Sequence, residues 1–288
     1  MTRTRSEWTR RSTLVALTGA LVGLTDSIAR TAAAAAQDQP ATATTSNQGG
    51  LPIEIEADAG IEWRRNEKLY IARGNATAKR GDLTVIADTL SARYREKAGG
   101  GSEIWQIEAD GHVRLMSPGR TVTGDRAVYN LDRRVLEVTG DNLGVDTGEE
   151  KLTADQSLEY QDGPQIAIAR GNATVVQAER QVRADVMTGH FQRGTDGQFD
   201  LVRLEADGTV EVKTPDTYAT SAKGDYDLTT DIMTLSGNVK VTNAGNQFNG
   251  EFAEVNVRTG VSRLLGDASG SGSGKVKSLI MPSSEPSQ

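Results

Sequence analysis

The chain of 288 residues contains no cysteine, which removes disulfides, thiol catalysis and cysteine-ligated metals from consideration. Aromatic residues make up 5% and all hydrophobic residues 36%, too lean for one thick globular core and suited to a thin, elongated one. Histidine occurs only at His112 and His190, neither beside a second histidine nor clustered carboxylates at ligand spacing, so both are expected on the surface and no metal site is expected. Basic residues number 32 against 39 acidic ones, so the basic face that phosphate contacts need is missing and nucleic-acid binding is excluded. No Gly-x-Ser-x-Gly elbow is present. The stretch 270–275 fails as a phosphate loop, because Ser269 stands at the leading glycine and Val276 replaces the required Ser or Thr. No amphipathic helix pattern follows the first 36 residues. These absences predict a protein that is not an enzyme and carries no cofactor.

What the chain does have is a copy of itself. Ile71 to Thr77 recurs unchanged at Ile168 to Thr174, and the same offset of 97 places Ile104–Gly111 on Leu201–Gly208 and Tyr129–Leu131 on Tyr226–Leu228. A shorter period lies within it, since Gly74, Gly111, Gly140, Gly171, Gly208 and Gly237 are spaced 37, 29, 31, 37 and 29 apart. An apolar run enters each glycine, and a second arm follows with an apolar residue, a small residue and usually an acid, as at Asp88, Asp125, Asp155 and Asp185. Alternation with Val and Thr enriched is a strand signal. Each unit therefore reads as short antiparallel strands joined by turns, with glycine where the backbone bends or takes positive φ. The recurring aspartates fit side-chain to backbone hydrogen bonds better than catalysis or calcium. Repeats of this kind stack to bury a seam that no single unit could bury alone. The fold class is all-β, with roughly a dozen strands or more forming a solenoid or rolled sheet.

Arg3, Arg5, Arg10 and Arg11 precede an apolar run from Leu14 to Leu24 and then small residues, so 1–36 read as an export signal peptide that is cleaved, with an uncleaved anchor as the alternative. That run is too short to span a bilayer. The leader holds five Arg against one Glu and one Asp, and its removal takes the net charge from −7 to −10. Residues 37–50 read as a flexible linker, 51–282 as the folded domain with a Gly/Ser loop over 266–274 and a last strand over 275–282, and 283–288 as a disordered tail.

Pro52-Ile53-Glu54-Ile55-Glu56-Ala57-Asp58, the repeated apolar-x-Gly-Asn units, the Ala-Asp arms and the closing 275–282 strand together resemble the LptA/OstA family of periplasmic lipopolysaccharide-transport proteins. The resemblance implies an elongated, rolled, V-shaped β-jellyroll whose apolar groove shields lipid A acyl chains. It also implies a periplasmic bridge in which protomers join head to tail, edge strand to edge strand, between inner-membrane and outer-membrane transport components. Ile53 and Ile55 match the family's first strand, with alternate isoleucines facing lipid, while Glu54, Glu56 and Asp58 fall on its outer face. Tyr129 and Leu131 match an inward Tyr-x-Leu arm, which the internal repeat extends to Tyr226 and Leu228. Leu136 and Val138 join them as lipid-contacting candidates by alternation. By the same alternation Ile107, Val113, Leu115, Val175, Leu204, Val210, Val212, Leu235 and Val239 also face inward. Each of these residues would equally well fill a solid core, which leaves a self-associating structural scaffold as the alternative. A carbohydrate-active solenoid ranks last, because no acidic pair accompanies both Trp63 and Trp105.

Overall fold

The computed structural model describes residues 53–97, 100–194, 199–259, 261–266 and 275–280. The leader, the linker, the tail and most of the Gly/Ser loop expected from the sequence lie outside the described residues. What is described is all-β. The strands are β1 (Glu54–Glu56), β2 (Ile61–Arg64), β3 (Leu69–Arg80), β4 (Leu83–Glu96), β5 (Ser102–Ser117), β6 (Arg120–Asn130), β7 (Val135–Thr139), β8 (Gly144–Asp146) and β9 (Glu150–Thr153). They continue as β10 (Ser157–Gln161), β11 (Ile166–Gln177), β12 (Arg180–Arg193), β13 (Phe199–Lys213), β14 (Thr217–Asp227), β15 (Ile232–Asn243), β16 (Asn246–Asn256), β17 (Val261–Leu265) and β18 (Lys277–Leu279). Among the described residues the sole helical piece is a three-residue 3₁₀ turn, Arg65–Glu67.

All pairings are antiparallel, and each strand pairs with its neighbours along the chain. Four couples of short strands (β1 with β2, β7 with β8, β9 with β10, β17 with β18) each act as one interrupted strand. β1 and β2 both pair β3, for example, and β17 and β18 both pair β16. The described residues thus form a meander of fourteen rungs, each with two arms and a bend between them. The internal repeat is six rungs long: β3 and β11, β4 and β12, and β6 and β14 have bounds that differ by 97 residues.

Five of the six glycines do not join strands, as the spacing had suggested; they sit inside strands of 12–16 residues, where the pairing register shifts, while Gly140 lies at the bend between β7 and β8. At each shift two residues leave the ladder. Every second rung does this with glycine in the left-handed region, such as Gly74 at φ 79° followed by Asn75 at 43°, or Gly111 at 81° followed by His112 at 47°. The intervening rungs through β12 use a small residue and an acid, and that acid caps the strained pair on the next rung, whereas β14 carries Ser221-Ala222 there. Asp125 Oδ2 accepts from Asp141 N at 2.7 Å, Asp185 Oδ2 from Thr209 N at 3.1 Å, and Asp58 and Asp155 Oδ2 from Asn75 and Asn172 Nδ2 at 2.9 and 2.6 Å. His112 Nδ1 lies 2.9 Å from Asp88 Oδ2. The recurrent aspartates are therefore the fastenings of the bends. His112 is exposed as expected, whereas His190 is half-buried with Nε2 3.2 Å from Glu205 Oε2.

Because every rung bends at the same height, the two arms fold toward one another like the covers of a book. One core holds Leu90, Ala127, Val138 and Leu158 from one arm and Leu115, Val122, Leu152 and Val175 from the other. In the crook, where the arms meet, only small side chains fit. Ala76 faces Ala87 and Ala173 faces Ala184, none more than 2% exposed. The result is an elongated, rolled, V-shaped jellyroll.

An apolar cleft between the arms and an open edge at each end

Between the first rungs the arms stand apart, leaving an apolar cleft of about 980 Å³ counted out to its open mouth. Following the rows of cross-strand neighbours explains why it lies there. One inward row runs Ile61, Ala72, Leu90, Ala109, Ala127, Val138, Leu158, Ala169, Met187. The row beside it runs Trp63, Tyr70, Ala92, Ile107, Tyr129, Leu136, Tyr160. On the facing arm the row is Ile55, Ala78, Val85, Leu115, Val122, Val145, Leu152, Val175. The first rungs place alanines at 72, 78, 92, 109 and 127, all of which line the cleft. At Val138, Leu158 and Tyr160 the rows carry larger side chains, and these three are fully buried. Small residues make the room, and large ones close it.

Four of the eight lipid-contacting residues named from the sequence line this cleft: Ile53, Ile55, Tyr129 and Leu136. Val138 lies in the solid core just beyond it. Leu131 is half-buried against the core and against a small cluster of Tyr94 and Ile104, and Tyr226 and Leu228 are half-buried against the core in the second repeat. The cleft thus does not gather all eight. The residues named by alternation alone all face the interior: Val113, Leu115, Val175, Leu204 and Val210 in the main core, Ile107 and Val212 at its margin, and Leu235 and Val239 in a smaller core near the C-terminal end.

Sequence reasoning missed the alanines, because an alanine carries no apolar signal of its own, and it missed Trp63 as an inward residue. The Trp63 ring stacks on Tyr70 with centroids 5.8 Å apart, and its Nε1 donates to Tyr94 Oη at 3.0 Å. Lys79 and Arg80 stand among the apolar lining residues.

Both terminal rungs leave one side of the ladder unpaired. Among the described residues, β1 and β2 bond only to β3, and β17 and β18 only to β16. Exposed apolar side chains gather at these two ends, with Ile55, Ile61 and Trp63 at the first and Val261, Leu279 and Ile280 at the last. On the outer face of the first rung Glu62 accepts from Arg73 Nη1 at 2.6 Å and from Arg64 Nε at 2.9 Å, and Lys79 lies 3.6 Å from Glu56. The Arg64 hydrogen bond, foremost, holds the Glu62 carboxyl below its ordinary range against an opposing desolvation, with the Arg73 charge assisting. Among the described residues no group of three or more His, Cys, Asp or Glu could hold a metal ion, and no helix is long and apolar enough to cross a membrane.

Residues 54–162 and again 151–261 match the LptA/(LptD N-terminal domain) LPS transport protein family. The chain belongs to that family. The two matches begin 97 residues apart, which is the internal repeat seen in the rungs. The chain is similar to an uncharacterized protein of Rhizobium meliloti (strain 1021), with 29% identity over 156 residues that cover 50% of this chain and 82% of that protein. A search of solved structures matches the crystal structure of LptH, the LptA-homologous periplasmic component of the lipopolysaccharide transport device of Pseudomonas aeruginosa. That match has 11% identity and a TM-score of 0.22, over 81% of this chain and 96% of the other.

Proposed function

We propose that this lipopolysaccharide-transport family member is an exported periplasmic carrier that holds lipid A acyl chains in the cleft between its arms and leaves the sugar headgroup in water. The observation that carries this reading is an apolar opening at the first rung, built by alanines and rimmed by Ile53, Ile55 and Ile61. Burying ten methylenes there contributes about 8 kcal/mol, at roughly 0.8 kcal/mol each, so lipid is held without any catalytic group. The open edges fit strand addition, in which unpaired N–H and C=O groups are completed by another chain. Head-to-tail copies, and components at the inner and outer membranes, are the partners in this reading. Export follows from the leader over residues 1–36.

A purely structural scaffold is the second reading, and the filled rows from Val138 to Val175 favour it. Photocrosslinking separates the two. A photoreactive side chain at position 55 or 107, with lipopolysaccharide added to the purified protein, is expected to capture lipid, while positions 54 and 138 are not. Capture at none of the four, with folded protein and lipid present, would leave the scaffold.

A further inference from the structure

One row of the inner face departs from the apolar pattern. On the arm that carries Ile55, the row one step further from the bend holds Arg80, Leu83, Ser117 and Arg120, which by alternation face the same way as Ala78, Val85, Leu115 and Val122. It runs along the free margin of the arm, beside the turns that join β3 to β4 and β5 to β6, and Arg80 and Leu83 line the cleft from it. Ser117 closes β5, Arg120 opens β6, and the two stand directly opposite in the ladder. The Ser117 Oγ is buried without a hydrogen-bond partner. Arg120 is half-buried, and its guanidinium has none either, whereas the other arginines out of full exposure among the described residues, Arg64, Arg73, Arg80 and Arg170, are all engaged. Burial alone pulls Arg120 down from its ordinary value.

Two neighbouring donors that lack an acceptor, one of them charged, are the complement of an anion. We infer that Arg120 and Ser117 seat a negatively charged group, a phosphate or a carboxylate, carried on the head of the lipid whose acyl chains fill the cleft. This rests on the cleft reading above and adds what the head must bear.

Position supports the assignment. Leu115, two residues before Ser117, lines the cleft, and so does Tyr129, at the other end of the strand that Arg120 opens. A lipid with its chains between the arms brings its head out at their free margin, where Arg120 stands. The other charges near this margin are placed differently. Lys79 lies 3.6 Å from Glu56, and Arg80 is only 8% exposed. Glu150, the acid of the same row, is two strands further on, where its Oε1 accepts from Gln177 Nε2 at 2.8 Å. An arginine that merely laid its stem along apolar surface to reach water would leave the buried Ser117 hydroxyl without a purpose.

The test compares two amphiphiles with the same chain, dodecyl phosphate and dodecyl maltoside, titrated calorimetrically into the purified protein below their micelle concentrations. Dodecyl phosphate is expected to bind about tenfold more tightly, the worth of a charged hydrogen bond discounted for partial exposure, and the preference is expected to shrink as salt rises. Arg120→Ala should erase the preference and leave dodecyl maltoside affinity unchanged, Arg120→Lys should keep most of it, and Ser117→Ala should reduce it about threefold. Arg114→Ala makes the same change of charge on the exposed outer face of β5 and should do nothing. Equal binding of the two probes, or a preference that survives Arg120→Ala, would overturn the anion seat and leave the cleft reading standing. Loss of both probes in Arg120→Ala with a native circular dichroism spectrum would also overturn it, since the residue would then only shape the cleft. Inorganic phosphate that competes at the same concentration as dodecyl phosphate would put a free anion at the site and remove the lipid from the inference. Binding of neither probe to the native protein would remove the cleft reading itself.

Discussion

Ala78→Leu tests whether the space between the arms is there for lipid. Ala78 is half-buried on β3, opposite Ile55 on one side and Val85 on the other, and its side chain lines the cleft. Leucine adds three carbons to that space. If acyl chain lies there in the native protein, the added carbons displace about three methylenes from apolar contact, at roughly 0.8 kcal/mol each, or about 2.4 kcal/mol in all. That corresponds to a loss of about 60-fold in affinity. The same three carbons are buried in apolar surroundings, so the melting temperature should hold or rise. Leu158→Ala makes the opposite change in the filled part of the same interior, where Leu158 is fully buried. It should cost about 2–5 kcal/mol of stability, with each kcal/mol lowering the melting temperature about 2–4 °C, and lipid affinity should be unchanged. Binding is read by titrating a fluorescent lipopolysaccharide, and stability by calorimetry on the same samples. The reasoning is refuted if folded Ala78→Leu binds lipid as tightly as the native protein. It is equally refuted if that variant melts far below the native protein, because the cleft would then be no room at all.

Gly111→Ala should destabilise by about 1–3 kcal/mol, since Gly111 has φ 81° and a Cβ there would strike the Asp88 carboxylate; Gly119→Ala, with φ 73° but open space around it, should cost less in a denaturant melt. Ala222 stands where the other bends carry an acid, beside Gly237 and before Asn238. The Asn238 N–H already donates to Glu251 Oε2 at a long 3.4 Å, so Ala222→Asp, by offering it a closer acceptor, should add about 0.5 kcal/mol, and a lowered urea midpoint would refute this account of the bends. Burial, foremost, and the neighbouring Glu149 hold the Glu150 carboxyl above its ordinary 4.5. The folded state therefore binds this proton more tightly than the unfolded chain does, so the residue's contribution is complete in acid and is lost as pH rises from 4.5 through the raised folded value. Glu150→Gln suffers no such loss, and its melting temperature relative to the native protein should climb across that interval; a difference independent of pH would contradict the assignment.

How much of this was legible beforehand differs by feature. The repeat announced the rungs, and alternation set the inward face correctly for Val113, Leu115, Leu204 and Val239, because one buried face imposes a period of two that survives the bends. The bends themselves were misread. Gly74 and Gly171 look like hairpin turns from their neighbours, yet a bulge asks for the same positive φ while the strand goes on through it. The position of the cleft was not legible at all. It depends on Ala72, Ala78, Ala92, Ala109 and Ala127 meeting across rungs up to about 55 residues apart, and one alanine in a strand says nothing about its neighbours. The last strand was expected over 275–282; among the described residues the pairing covers Lys277–Leu279, and 281–282 lie outside them.

The even number of rungs also makes the molecule a ruler. Neighbouring strands lie about 4.8 Å apart, so fourteen rungs measure roughly 60 Å along the stacking axis. Gaining or losing one hairpin changes that length by roughly 10 Å and leaves the direction of the terminal strand and the alternation of glycine and acid bends as they were. A single added rung would reverse the terminal strand and break both. Descendants of such a chain can therefore adjust their span to a wider or narrower gap only in steps of two, and duplication of the six-rung unit, already visible here once, is the step that preserves every row.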